Sequence, residues 1–156
     1  MKYIRKGDHK VVDKGAVIML RVAVIDGQGG GIGKTIVEKL NKEMNGNIHI
    51  IALGTNSTAT SVMLRAGAAE GATGENAIAI NAYKVDIIIG PIGIIVPNSL
   101  MGELTPKMAR AITDSPALKI LIPLNKCGIE IAGVPNDSLP QLIEKAVLKV
   151  KEKVCL

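Results

Sequence analysis

The chain alternates short aliphatic runs with segments in which apolar residues return every three or four positions. Leu20 to Ile25, Ile48 to Leu53 and Val85 to Ile89 are nearly unbroken runs, which predicts strands buried on both faces. After the first of them, Ile32, Ile36, Val37, Leu40 and Met44 share one face of a helix from about Ile32 to Met44. Asn45-Gly46-Asn47 closes it with residues that tolerate left-handed backbone. A second helix, about Thr58 to Ala66, stops at Gly67 and is capped by Ser57 or Thr58. A third opens at Gly71-Ala72-Thr73-Gly74-Glu75-Asn76 and runs to about Lys84. Thr105-Pro106 begins a fourth as a cap followed by proline, with Leu104, Met108, Ala111 and Ile112 facing inward. A fifth starts near Leu139 with the stripe Leu139, Ile143, Ala146, Val147, Val150 and Val154. Lys119 to Leu124 reads as a further strand. Asn125 to Gly128 is a short link to Ile129 to Val134, and so short a link predicts an antiparallel hairpin.

This alternation predicts an α/β fold: a three-layer α/β/α domain around a mainly parallel sheet of about five strands, with the hairpin at its edge. The domain covers residues 19–156, and residues 1–18 form an appendage, either disordered or an edge strand or arm. The loops after the first three strands converge at the carboxyl edge of the sheet, where such folds bind ligands.

Composition narrows the function classes. Apolar residues make up 47% of the chain and aromatics 1%, so the core is aliphatic and there is no platform for stacking bases. The formal charge of +5 comes from an excess of basic residues in 1–18 and 138–156, while the middle is balanced. Without a basic stripe on the domain, nucleic acid is not an expected partner. No apolar run reaches the ~20 residues of a membrane span, and the polar N-terminus predicts no secretory leader, so a cytoplasmic protein is expected. Cys127 and Cys155, with His9 and His49, are too scattered to nominate a metal site, and Cys127 has no obvious histidine partner for nucleophilic catalysis.

The most distinctive stretch is Gly27-Gln28-Gly29-Gly30-Gly31-Ile32-Gly33-Lys34-Thr35, between a strand and a helix. Glycines let the backbone turn sharply and approach a ligand without a Cβ, and the orphan N–H groups of a helix start attract anions. Three readings stay open. Gly27, Gly31 and Gly33 fit G-x-x-x-G-x-G, and in this the loop resembles the nucleotide loop of short-chain dehydrogenases, which implies NAD or NADP. Gly30 to Thr35 resembles the end of a P-loop, but the glycine needed five residues before Gly33 is Gln28. A tight turn without a nucleotide is the third. Asp26, at the strand end, is expected to face and repel phosphates unless a cation or a ligand hydroxyl intervenes.

Further candidates lie at the other strand exits. Leu53-Gly54-Thr55-Asn56 carries no acid for an adenosine ribose, which predicts no strong preference for NAD over NADP and leaves Thr55, Asn56 or Ser57 as phosphate donors. Gly90-Pro91-Ile92-Gly93 forms a second glycine-rich exit, and Glu75, Asn76 and Asn98 are candidate ligand contacts. Ile92, Ile94, Ile95, Val96, Leu100 and Met101 make an apolar stretch too irregular for a monomer to cover entirely. It is expected either at a homodimer contact or in a lid.

Asp-Gly-Gln-Gly-Gly-Gly-Ile-Gly-Lys at 26–34, Leu-Gly-Thr-Asn at 53–56, Gly-Ala-Thr-Gly-Glu-Asn at 71–76 and Gly-Pro-Ile-Gly at 90–93 together resemble a family of short bacterial proteins known only as a domain of unknown function. The resemblance covers roughly residues 19–134. It implies a Rossmann-like fold and no particular activity. Two functions are expected: a binding or sensing module for a dinucleotide or related phosphate compound, or a small enzyme using Asp26, Asn56, Glu75 and Asn98. No Tyr-x-x-x-Lys pair accompanies the loop, which favours the binding module.

Overall fold

The computed structural model describes residues 19–124 and 128–154. Strand β1 (Leu20–Asp26) leads into helix α1 (Gly31–Met44), β2 (Ile48–Gly54) and α2 (Ser57–Arg65). Then follow β3 (Glu70–Thr73), α3 (Glu75–Asn81), β4 (Ile87–Pro91) and two 3-10 turns, Ile92–Ile95 and Leu100–Gly102. Helix α4 (Pro106–Asp114), β5 (Leu118–Ile122) and α5 (Leu139–Val154) complete the order. The amino-terminal appendage, Cys127 and Cys155 lie outside the described residues.

The five strands form one sheet in the order β3-β2-β1-β4-β5, and every pairing is parallel. Side chains alternate across it with the strand period of two. Val22 and Val24 point to the face covered by α1, α2 and α5, while Ala23 and Ile25 point to the face covered by α3, α4 and the first 3-10 turn. Ile25, Ile36, Leu53, Ile88 and Ile89 are fully buried. Each such side chain contributes about 2 kcal/mol of burial. Helix α1 ends at Asn45, which takes φ 47° and donates its N–H to the Asn41 carbonyl.

Two expectations are corrected. Residues 129–134 form no strand, so there is no antiparallel hairpin; β5 is a parallel edge strand beside β4. Gly128 and Gly133 bracket that stretch at φ 69° and 80°, a backbone that breaks extended pairing despite the apolar alternation. The stretch 70–73 is strand, not helix start: it pairs with β2, and only then does the shorter α3 begin.

This order places the site. The chain moves outward from β1 to β2 to β3, then crosses back over to form β4 on the other side of β1. The loops leaving β1 and β4 therefore diverge and open a crevice at the carboxyl edge, the topological switch point of the sheet.

Candidate functional site

The loop after β1 closes with a bond from the Gly30 N–H to the Gly27 carbonyl at 2.9 Å, and it needs left-handed backbone at Gln28 and Gly30. Its glycines play different parts. A Cβ on Gly27 would lie 2.4 Å from Thr55 Oγ1 and 2.9 Å from Glu103 Oε2; one on Gly33 would lie 2.5 Å from Met63 Sδ and 2.9 Å from Asp26 Cβ. Gly27 thus allows the tight turn and Gly33 the close packing of α1. Gly29 and Gly31 have open space where a Cβ would stand, and neither takes a positive φ. Among the described residues nothing in the fold requires them to be glycine.

Asp26 turns inward. Its buried carboxylate accepts the N–H of Gly27 at 2.8 Å and of Gly33 at 2.7 Å, capping α1 from the strand end, since the N-cap Gly30 has no side chain to do so. It satisfies the loop from within instead of confronting a ligand from the sheet edge. The N–H groups of Gly29 and Gly31 make no hydrogen bond among the described residues.

The β2 exit meets this loop through one acidic side chain. Glu103, just after the second 3-10 turn, places Oε2 2.8 Å from the Gln28 nitrogen, 2.5 Å from Thr55 Oγ1 and 2.9 Å from Asn56 Nδ2, and all three groups donate to it. Asn56 also donates to the Gln28 carbonyl at 3.0 Å, and its Oδ1 accepts the Ala59 N–H as the cap of α2. The cap is therefore Asn56, not Ser57 or Thr58.

The two carboxylates are held oppositely. Burial pushes Asp26 above the ordinary carboxylate value, the Gly33 and Gly27 N–H groups pull it back only in part, and the Glu103 charge adds to the rise. Partial burial works against Glu103 too, but the Thr55 hydroxyl, the Gln28 N–H and the Asn56 amide outweigh it and hold Glu103 below its usual value. A raised folded-state value makes the Asp26 contribution complete below its unfolded value and lost as pH rises through the folded one. The depressed value of Glu103 gives stability that is present above its unfolded value and lost as pH falls through the folded one. Urea melts of Glu103→Gln are therefore expected to show a stability deficit at neutral pH that shrinks on acidification. A deficit independent of pH would show that the ionised carboxylate is not what the loops bind.

Beside this network a cavity of about 320 Å³ opens at the switch point. Gln28 lines it from the β1 loop, Pro91 and Gly93 from the β4 exit, Leu100 and Met101 from the second 3-10 turn and Leu124 from beyond β5. Its walls are mostly apolar, and its volume suits a ring system and little more.

The Domain of unknown function (DUF3842) model matches residues 21–155. The chain belongs to the DUF3842 family. No curated protein matches it. Among solved structures, a protein of Pseudomonas putida KT2440 provisionally assigned as an oxidoreductase aligns at 17% identity and TM-score 0.42, over 82% of this chain and 38% of its own. This chain thus spans well under half the length of that protein. The universal stress protein of Archaeoglobus fulgidus aligns at 16% identity and TM-score 0.36, over 67% of this chain and 98% of its own.

In this DUF3842 chain Gly27, Gln28, Thr55 and Asn56 gather around Glu103, and Gln28 and Pro91 line the cavity, whereas Asp26 and Gly90 are buried in the strands behind them. Other candidates fall elsewhere. Lys34 is exposed and pairs with Glu38 at 3.8 Å, and the Thr35 hydroxyl donates to the Gly31 carbonyl. Glu75 pairs with Lys107 at 3.5 Å, tying α3 to α4, and Asn76 is exposed on α3. Asn98 is exposed in a turn at φ 65°. The apolar stretch is covered more fully than its sequence implies. Ile94 is fully buried, while Ile92, Ile95, Val96 and Leu100 are half-buried. The 3-10 turns bond its backbone locally, as from Val96 N–H to the Gly93 carbonyl and from Gly102 N–H to the Ser99 carbonyl. Of its six large apolar residues Met101 alone stands clear, 93% exposed.

Proposed function

We propose that this DUF3842 protein is a binding or sensing module for a dinucleotide of the NAD type, laid across the carboxyl edge of its sheet. In this reading the phosphates rest on the backbone of Gly29 to Ile32. One end of the ligand fills the apolar cavity between the β1 and β4 exits, and the other reaches Thr55 and Asn56. The division of labour in the glycine loop carries the reading: Gly27 and Gly33 are explained by contacts inside the fold, whereas Gly31 is explained by a ligand that comes against it. The strand order supports it, because among the described residues β3-β2-β1-β4-β5 follows the first five strands of the dinucleotide-binding order. Melting the protein with NAD+, NADP+, ATP, AMP and inorganic phosphate tests it. A dinucleotide is expected to raise the melting temperature more than ATP, AMP or phosphate. A panel in which neither dinucleotide moves it would overturn the reading.

The proposed partner is a second copy of the chain. Met101 and the half-buried residues behind it offer an apolar surface at the mouth of the crevice. Light scattering at micromolar concentration is expected to show a dimer that Met101→Asp converts to monomer. A monomeric parent, unchanged by the substitution, would remove the dimer and leave the segment as a cover over the ligand.

A further inference from the structure

The β2 exit has no acid of its own, yet the structure puts one there. Glu103 reaches the crevice from 75 residues beyond Gln28 and joins the β1 loop to Thr55 and Asn56. We infer that Glu103 is the specificity-determining residue of the crevice: it receives the adenosine ribose hydroxyls and selects a dinucleotide with a free 2′-hydroxyl over its 2′-phosphorylated form. This rests on the dinucleotide reading and adds to it which ligand is chosen.

Position comes first. In sheets of this strand order the carboxylate that binds the ribose stands at the end of β2, within reach of the glycine loop. Glu103 is bonded to both, so it occupies that place without belonging to that strand. Capacity comes second. A carboxylate has two oxygens with about four acceptor sites. All three donors named above meet Oε2, and the residue is only half-buried, so Oε1 remains for hydroxyl donors. Thr55 and Asn56 fix the carboxylate in place, which a side chain this long otherwise achieves only at an entropic cost.

Charge comes third. A 2′-phosphate at this point would meet the Glu103 carboxylate, with the Asp26 carboxylate buried behind the same loop, bonded to Gly27 as Glu103 is to Gln28. The lysines of the neighbouring helices are turned to other partners, Lys34 to Glu38 and Lys107 to Glu75. Among the described residues no arginine or lysine forms an ion pair with Glu103, so its charge is not offset by a basic partner there. A free hydroxyl donates to the carboxylate, whereas a phosphate is repelled by it.

Calorimetric titration of NAD+ and NADP+ into the full chain and into Glu103→Gln tests the inference. The parent is expected to favour NAD+ by about tenfold or more, equivalent to ~1.4 kcal/mol. Glu103→Gln is expected to weaken NAD+ and to bind both dinucleotides alike. Should the glutamine variant fail to fold, Glu103→Asp keeps the charge and shortens the reach; it is expected to weaken NAD+ while still excluding NADP+. A parent that binds both equally overturns the inference and leaves the dinucleotide reading standing. So does a glutamine variant that binds both more tightly, because Glu103 would then be a plug in the ligand's place. A parent that binds neither overturns both.

Discussion

Gly90→Ala is expected to destabilise the protein by about 3 kcal/mol, the upper part of the ordinary range for overpacking. A Cβ on Gly90 would stand 2.4 Å from the backbone oxygen of Ile25, on the neighbouring strand. Backbone in the middle of a sheet has no rotamer to change, so β1 and β4 must separate where their loops diverge. Gly90 is itself buried, and the same Cβ would stand 3.2 Å from Ile94 Cδ1 on the other side. For a domain of this size the loss corresponds to a fall of roughly 6 to 12 °C in melting temperature. Thermal melts check it, and a variant within a degree or two of the parent would mean that the β4 exit is not packed as described.

Gly31→Val is expected to do the reverse: to leave stability within about 0.5 kcal/mol and to weaken dinucleotide binding about a hundredfold, ~2.7 kcal/mol. The open space around a Cβ at position 31 costs the fold nothing, but a branched side chain there stands where the phosphates would rest. Gly33→Val is the contrasting control. Its Cβ would press on Met63 and Asp26, so it is expected to lose binding together with stability. The sequence alone treats these two glycines as equivalent members of one motif. The packing separates them.

That separation marks what the chain's pattern conveys. Strands β1, β2 and β4 are legible because a strand buried on both faces must be aliphatic along its length. Strand β3 is not, because Glu70, Gly71 and Thr73 are exposed on an edge and only Ala72 is partly covered, so the apolar run that would mark a strand is absent. The apparent hairpin after β5 fails for the opposite reason: Ile129, Glu130 and Ile131 alternate like a strand, but Gly128 and Gly133, both at positive φ, stand on either side of residues 129–132. At the site, the glycine loop and its place at the sheet edge are visible in the sequence, since both depend on neighbours in the chain. The direction of Asp26 had one local signal, a carboxylate placed before a run of orphan N–H groups, but choosing inward over outward required the position of α1. Glu103 had none. Its partners Gln28, Thr55 and Asn56 are brought to it by the crossover from β3 to β4, and no spacing rule spans that distance.

The ligand is expected to lie across the crevice between the β1 and β4 exits. The most direct test is to follow the backbone amide resonances of the protein while NAD+ is added. The expected result is movement concentrated at Gln28, Gly29, Gly31, Asn56 and Gly93, with Gly46 and Gly67 at the far ends of α1 and α2 unmoved. Movement concentrated instead at the second cavity, of about 220 Å³ and lined by Ile131, Val134, Leu139 and Leu142, would contradict it, as would a spectrum that does not change.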